Sequence, residues 1–144
     1  MNVMMRKSNV WLIGLLLASL CAATMASPFV NSRSVPHAVL YLNYKLIPQK
    51  IWPVRIWMVD GKLTNRSDQQ VIWIQPGKYS FDVKLTKVVN LAYMPGLMQK
   101  IPNAQQMHEM KLRVEAGKAY YIGAKFAASG KWQPEVWKTE KAKY

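Results

Sequence analysis

The sequence predicts an all-β protein, a single antiparallel β-sandwich of about seven strands. Short apolar segments recur along the chain with Gly- and Pro-containing turn signals between them, which is typical of a sandwich or small barrel. Polar and apolar residues alternate in several of these segments, as expected for strands with one face buried. No segment repeats its apolar residues at the helical period of about 3.6.

Seven segments carry the strand pattern, and four turn signals separate them. The segments are 38–46, 54–59, 71–74, 79–85, 110–114, 120–126 and 132–139, and the turns include Asp60-Gly61, Pro76-Gly77, Gly117 and Gly130. Residues 79–85 alternate most regularly, with Phe81 and Val83 expected to face the core. In 54–59, alternation places Met58 with the apolar face and Trp57 on the opposite one. Pro134 predicts that the last strand lies at a sheet edge.

The first 26 residues have the pattern of an export signal. Arg6 and Lys7 precede an uncharged apolar segment, 10–23, that is too short for a spanning helix of about 20 residues. Small residues before Ser27 predict cleavage there, so the mature protein is expected in the periplasm of a bacterium. Lipidation of Cys21 is disfavoured because Leu20 precedes it, and an uncleaved anchor is the other alternative. The predicted organisation is signal peptide 1–26, linker 27–37, sandwich domain 38–140 and tail 141–144.

The chain is strongly basic. It has 144 residues, 20 Lys and Arg against 7 Asp and Glu, and a net charge of +13. Loss of Arg6 and Lys7 with the signal peptide leaves 18 basic and 7 acidic residues, a net charge of +11. Solubility alone asks for a charge of about 2–8 on a small domain. The excess favours an anionic partner.

Turn motifs carry a resemblance to a known class of proteins. The segments are VDGK at 59–62, IQPGKYSFDVKL at 74–85, MKLRVEAGKAYYIGAKF at 110–126 and WQPEVWKTE at 132–140. Together they resemble small bacterial envelope proteins of unknown function that are related to PEGA-type, transthyretin-like β-sandwich domains. The resemblance covers residues 38–140 and implies a sandwich in which PGKY and AGKAY each open a hairpin strand. It implies no catalytic residues, and residues 87–106 fit it as a variable apolar loop.

Basic residues on the predicted strands are the candidate anion site. They are Lys78, Lys84, Lys111, Arg113, Lys118 and Lys125. If their strands share a sheet, its outer face is basic. Aromatic and apolar residues outside the predicted core are the candidate contacts for a partner: Trp57, Tyr93, Met94, Leu97, Met98 and Trp137.

The sequence lacks the patterns of the common catalytic and metal sites. The mature chain has no Cys, and its two histidines, His37 and His108, are expected at the surface without metal-ligand spacing. No serine lies in a GxSxG context. We therefore expect no metal, no other cofactor and no enzymatic activity, although a site assembled from scattered residues around His108 is an alternative. Nucleic-acid binding is not expected, because the chain has no RNP-like signature and is predicted to be exported.

The expected function is binding of an anionic envelope component, such as lipid, lipopolysaccharide or glycan, through the basic sheet face. Peripheral contact with a membrane is one form that this binding would take. The alternative is an accessory or assembly-modulating protein that binds a secreted or fibrillar partner by edge-strand addition. Salt separates the two, since charge-driven binding fades with ionic strength and strand pairing does not.

Overall fold

A computed structural model describes residues 27–44, 46–86 and 106–143. Nine strands form in this part of the chain: β1 Ala38–Tyr41, β2 Ile51–Trp52, β3 Val54–Val59, β4 Lys62–Leu63, β5 Val71–Ile74, β6 Gly77–Leu85, β7 His108–Val114, β8 Lys118–Phe126 and β9 Trp132–Lys141. A single 3-10 turn, Ile47–Gln49, precedes β2. The described residues contain no α-helix, which confirms the all-β class, and none of their helical segments is long and apolar enough to cross a bilayer.

The first sheet, sheet A, is built around β8. Strand β9 pairs antiparallel along one edge of β8, from Lys118↔Lys141 to Phe126↔Trp132. The other edge of β8 is shared by β1, which runs parallel to it, and β2, which runs antiparallel. Strand β5 pairs antiparallel with the far side of β1. Sheet A is thus antiparallel apart from the β1–β8 pair, and β9 lies at its edge, as Pro134 predicts.

The second sheet, sheet B, has the order β4-β3-β6-β7 and is antiparallel throughout. Strand β6 lies between β3 and β7 and pairs with both. Its alternation follows the prediction: Phe81, Val83 and Leu85 are buried at 5% exposure or less, while Ser80, Asp82 and Lys84 lie on the opposite face. Sheet B therefore has one core face and one polar outer face.

The core lies between the inner faces of the two sheets. Sheet A contributes, among others, Leu40, Ile72 and Ile122, and sheet B contributes Ile56 and Phe81, all at 0% exposure. Trp52 belongs to the same cluster and is 1% exposed. Burial of a large aliphatic or aromatic side chain stabilises a fold by about 1.5–3 kcal/mol, so this cluster is the main source of stability.

Asp60-Gly61 closes the β3–β4 hairpin with φ values of 50° and 73°, the positive angles that such a tight turn needs.

The PGKY and AGKAY turns connect the two sheets to each other. Strand β5 belongs to sheet A and β6 to sheet B, while β7 belongs to sheet B and β8 to sheet A. The expectation that these two turns open hairpins is therefore wrong: each passes the chain from one sheet to the other.

A β-bulge in β3 changes which side chains face outward. The register with β6 shifts between Ile56 and Met58, so Trp57 and Met58 together oppose Asp82. Val59 consequently returns to the core at 5% exposure, whereas Met58 is half-buried on the outer face. The prediction that Met58 faces the core was wrong, because strict alternation, which would also turn Val59 outward, cannot accommodate the extra residue.

Both ends of the described chain pack against sheet A. Residues 27–37 were expected to be a linker, but Phe29 forms a bridge with Ile74 and Val30 is 5% exposed. His37 was expected at the surface and is 2% exposed, with Nδ1 2.6 Å from the Val35 carbonyl oxygen and its ring against Trp73. In the predicted tail, Ala142 is 7% exposed, and its amide donates to the Gly117 carbonyl.

Gly123 in β8 provides a stability test of this packing. A Cβ at this position would lie 2.5 Å from Cγ2 of Ile51 and 3.2 Å from the backbone oxygen of Trp52, which cannot move away as a side chain would. We expect Gly123→Ala to destabilise the protein by about 1–3 kcal/mol, the cost of overpacking. Urea unfolding measures it, with Gly61→Asn as the comparison, since nothing lies within 4 Å of a Cβ there. Equal stability of Gly123→Ala and the parent chain would contradict the close approach of β2 to β8.

Candidate functional site

Three cations converge at one end of the outer face of sheet B. In the β6–β7 register, Lys78 is opposite Arg113, and Ser80 is opposite Lys111. Directly opposed residues of an antiparallel pair have Cβ atoms about 4.5–5.5 Å apart. We call Lys78, Lys111 and Arg113 the basic cluster. A shallow cavity of about 320 Å³ lies among them and Ser80.

The basic cluster is only weakly neutralised. Glu109 is the one carboxylate within 4.0 Å of it in the described residues, at 3.8 Å from Nζ of Lys111, and Glu109 also accepts a 2.6 Å hydrogen bond from the Ser80 hydroxyl. The Lys111 side chain is 79% exposed, so this ion pair contributes little. Lys78 and Arg113 form no ion pair with any described residue. Like charges directly opposite each other destabilise a sheet, and a bound anion would relieve that repulsion.

Three of the seven side-chain carboxylates pair with lysines away from the basic cluster. All seven Asp and Glu residues lie in the described part of the chain. Three of the four described ion pairs belong to the turn before β8 or to sheet A itself: Lys118–Glu115 at 2.7 Å, Lys125–Glu135 at 3.2 Å and Lys138–Glu140 at 2.7 Å. These three pairs neutralise lysines of sheet A, whereas in the basic cluster and at Lys84 only Lys111 has a carboxylate within 4.0 Å among the described residues.

The six predicted anion-site residues separate into two groups. Lys78, Lys84, Lys111 and Arg113 lie on the outer face of sheet B, whereas Lys118 and Lys125 lie on β8 in sheet A. Both β8 lysines have carboxylate partners. Glu115 and Lys118 hold each other charged: the hydrogen bond and attraction between them lower the pKa of Glu115 and raise that of Lys118. Because the AGKAY turn changes sheets, the last two lysines do not extend the basic face.

A second group of residues occupies the other end of the same face. Nζ of Lys84 lies 3.9 Å from the centroid of the Trp57 ring, and Cζ of Arg55 lies 5.3 Å from it. Arg55 and Lys84 are directly opposite in the β3–β6 register. Met107 precedes β7 and is 42% exposed. We call Arg55, Trp57, Lys84 and Met107 the tryptophan patch. Sequence reasoning missed Arg55, although alternation with Trp57 places the two on one side of the strand, and it missed Met107.

An acidic row separates the two groups. Asp82 and Glu109 are opposite each other in register, between Lys84 and the row formed by Ser80 and Lys111, and across β3 Asp82 is opposite Trp57 and Met58. Lys78 and Lys84 lie six residues apart on β6, which corresponds to about 20 Å along a strand. The outer face of sheet B is therefore basic at both ends and acidic in the middle.

Trp137, predicted as a partner contact together with Trp57, lies on the opposite side of the molecule. It packs on the outer face of sheet A, with its ring centroid 5.2 Å from that of Tyr121 and 5.7 Å from that of Tyr44. Tyr41 stacks on Tyr121 at 4.8 Å. Trp57 and Trp137 therefore do not form one surface, and Trp137 belongs to a small aromatic cluster. The other predicted contacts, Tyr93, Met94, Leu97 and Met98, lie outside the described residues.

Tyr121 is expected to ionise later than an ordinary tyrosine. Its hydroxyl donates a short hydrogen bond to Glu140, and this bond together with burial raises its pKa above the usual value of 10.0. The bond stabilises the fold fully below pH 10, and the contribution is lost as the pH rises through the higher pKa of the folded protein. Absorbance titration at 295 nm should show a late phase that Tyr121→Phe removes. The same late phase in both proteins would contradict the assignment.

Neither a metal-ligand cluster nor a known relative defines the function. Among the residues that the structure describes, no group of three or more His, Cys, Asp and Glu side chains converges. His108 packs against Trp132, with ring centroids 4.2 Å apart. No family model matches this chain, and no curated protein or solved structure matches it either. The class that the structure defines is an all-β sandwich with a partly unneutralised basic face.

Proposed function

We propose that the protein is an exported, non-enzymatic β-sandwich protein that binds an anionic component of the bacterial cell envelope through the outer face of sheet B. The observation that carries this proposal is the basic cluster, in which Lys78 and Arg113 are opposed in register with no ion pair among the described residues. Arg presents a planar fork of donors that fits phosphate or carboxylate, and Lys adds point charges. The ligand is a lipid, a lipopolysaccharide or an acidic glycan.

The distribution of charge supports an anionic ligand over mere solubility. A protein that needs charge only for solubility gains nothing from placing like charges directly opposite each other on one face, as Lys78 and Arg113 are. Here three of the seven side-chain carboxylates pair with lysines of sheet A, whereas the cations of the basic cluster and the tryptophan patch other than Lys111 have no ion pair with a described residue. Unpaired cations grouped on one part of a face raise the local concentration of an oppositely charged partner.

Edge-strand addition is the second candidate function, and the open edge of β7 favours it. Within the described residues, β7 pairs only with β6 over seven residues, with no bulge and no proline. The edge of β9 is less suitable, because it carries Pro134 and a register shift opposite Tyr121 and Ile122. On this alternative the protein is an accessory or assembly-modulating protein for a secreted or fibrillar partner.

Binding at two salt concentrations tests the proposal. The purified protein is titrated with lipopolysaccharide, with anionic vesicles, with an acidic polysaccharide and with neutral vesicles, and tryptophan fluorescence reports binding. We expect at least one anionic ligand to bind selectively at near-physiological salt, where the Debye length is about 8 Å. Binding that disappears at that salt, or that is equally strong for neutral vesicles, would contradict selective binding of an anionic ligand by the basic face. Salt-independent binding to a protein partner would favour edge addition.

A further inference from the structure

The β3 bulge gives Trp57 an unusual position for a sheet residue. The bulge places Trp57 and Met58 together on the outer face, opposite Asp82. Trp57 is half-buried, so part of its ring remains accessible to solvent. Bulges are common where a sheet re-aims a side chain for binding. The chain therefore uses an irregularity to hold an indole ring on a charged surface.

Two cations lie against this ring and have no carboxylate partner. Lys84 and Arg55 contact Trp57 at 3.9 and 5.3 Å and are directly opposite each other in register. Neither forms an ion pair with a described residue, and Nε of Arg55 is buried without a hydrogen-bond partner in the protein. Cation–π contact holds each cation near the indole but does not neutralise it. An anion seated beside the ring would interact with both cations.

Two exposed apolar residues lie on segments next to the strands that carry this pair, and a site for a water-soluble polyanion does not need them. Met107 is 42% exposed and directly precedes His108, where the β6–β7 register ends opposite Val83, the neighbour of Lys84. Leu63 is 69% exposed and is the direct partner of Met58 in β4. Exposed large apolar residues beside Trp, Lys and Arg are the combination that suits the boundary between lipid headgroups and acyl chains.

We infer that the outer face of sheet B docks on a bilayer containing anionic phospholipid, with Trp57 at headgroup level. This inference rests on the proposed function and names its ligand. Lys84 and Arg55 bind phosphate beside Trp57, while Met107 and Leu63 contact the upper acyl chains. The basic cluster, four to six residues from Lys84 along β6 and so about 13–20 Å away on the same face, attracts a second group of headgroups. Asp82 and Glu109 lie between the two groups of cations and repel headgroups, so anionic lipids bind at the two basic ends of the face.

Quenching by brominated acyl chains tests the position of Trp57 directly. The protein binds vesicles of phosphatidylcholine with phosphatidylglycerol, prepared with and without brominated chains. We expect quenching in the parent protein, its loss in Trp57→Phe, and its retention in Trp137→Phe, the matched control on sheet A. Lys84→Gln should weaken vesicle binding about fivefold, the effect of one cation near an anionic surface. Circular dichroism and thermal unfolding establish that each variant is folded.

Three other outcomes would overturn the inference, and the experiment distinguishes them. Bound vesicles with equal quenching in the parent chain and Trp57→Phe would place a different surface on the bilayer. Binding to an acidic polysaccharide without binding to the vesicles would refute membrane docking and leave the proposed function standing. Absence of binding to every anionic ligand would refute both.

Discussion

Replacing Lys78 and Arg113 together by glutamine is expected to weaken binding to anionic vesicles about 30-fold. Each cation near an anionic surface contributes about 1 kcal/mol, and two together give about 2 kcal/mol. Both side chains are exposed on the outer face of sheet B, and neither has an ion pair with a described residue to lose, so the fold should be unaffected. Titration with vesicles at constant ionic strength measures the effect.

A matched double variant tests whether binding depends on the outer face of sheet B or only on the net charge of the protein. Lys118→Gln with Lys125→Gln removes the same two charges from β8 in sheet A, where Glu115 and Glu135 already neutralise them. We expect the β8 variant to bind within about twofold of the parent chain, since paired exposed charges contribute little to binding. Equal weakening in the two double variants would show that binding depends on total charge alone.

Phe81→Ala is expected to produce the largest loss of stability, about 3–5 kcal/mol. Phe81 is 0% exposed and lies on the inner face of β6, the strand whose outer face carries Lys78, Ser80 and Lys84. Removal of the ring leaves a cavity that the packed sandwich cannot close fully. Equilibrium unfolding in urea measures the free energy. Ser80→Ala is the control on the outer face, where we expect a change within about 0.5 kcal/mol.

The Phe81 result bears on function as well as on the fold. Strand β6 positions both the basic cluster and the tryptophan patch, so a destabilised variant should bind vesicles normally at low temperature, where it is folded, and lose binding as it unfolds. A stability loss for Ser80→Ala that equals the loss for Phe81→Ala would contradict the assignment of the two faces.

Local patterns were sufficient to predict the fold class and the faces of β6. The alternation of residues 79–85 follows from a period of two, and tertiary packing preserves it. The same rule failed in β3, because one extra residue at the bulge places Met58 outside and Val59 inside. No feature of residues 54–59 distinguishes a bulge from regular alternation, so the tryptophan patch could not be predicted in full.

Long-range pairing decided which candidate cations share a face. The sequence places Lys78, Lys111 and Lys125 on the polar sides of successive strands, but it does not specify which strands belong to one sheet. The turn at Gly117 closes no hairpin and passes the chain to the other sheet, which separates Lys118 and Lys125 from the others. His37 shows the same limitation, since a polar, Pro-containing segment gives no sign that it packs against Trp73.

Mapping the binding face by amide chemical shifts tests the central claim most directly. The 15N-labelled protein is titrated with a short-chain phosphatidylglycerol below its micellar concentration, and the largest shifts are assigned to strands. We expect shifts in β3, β6 and β7, centred on the basic cluster and on Trp57, with little change in β8 and β9. Shifts centred on the aromatic cluster of sheet A, around Tyr121 and Trp137, would contradict it.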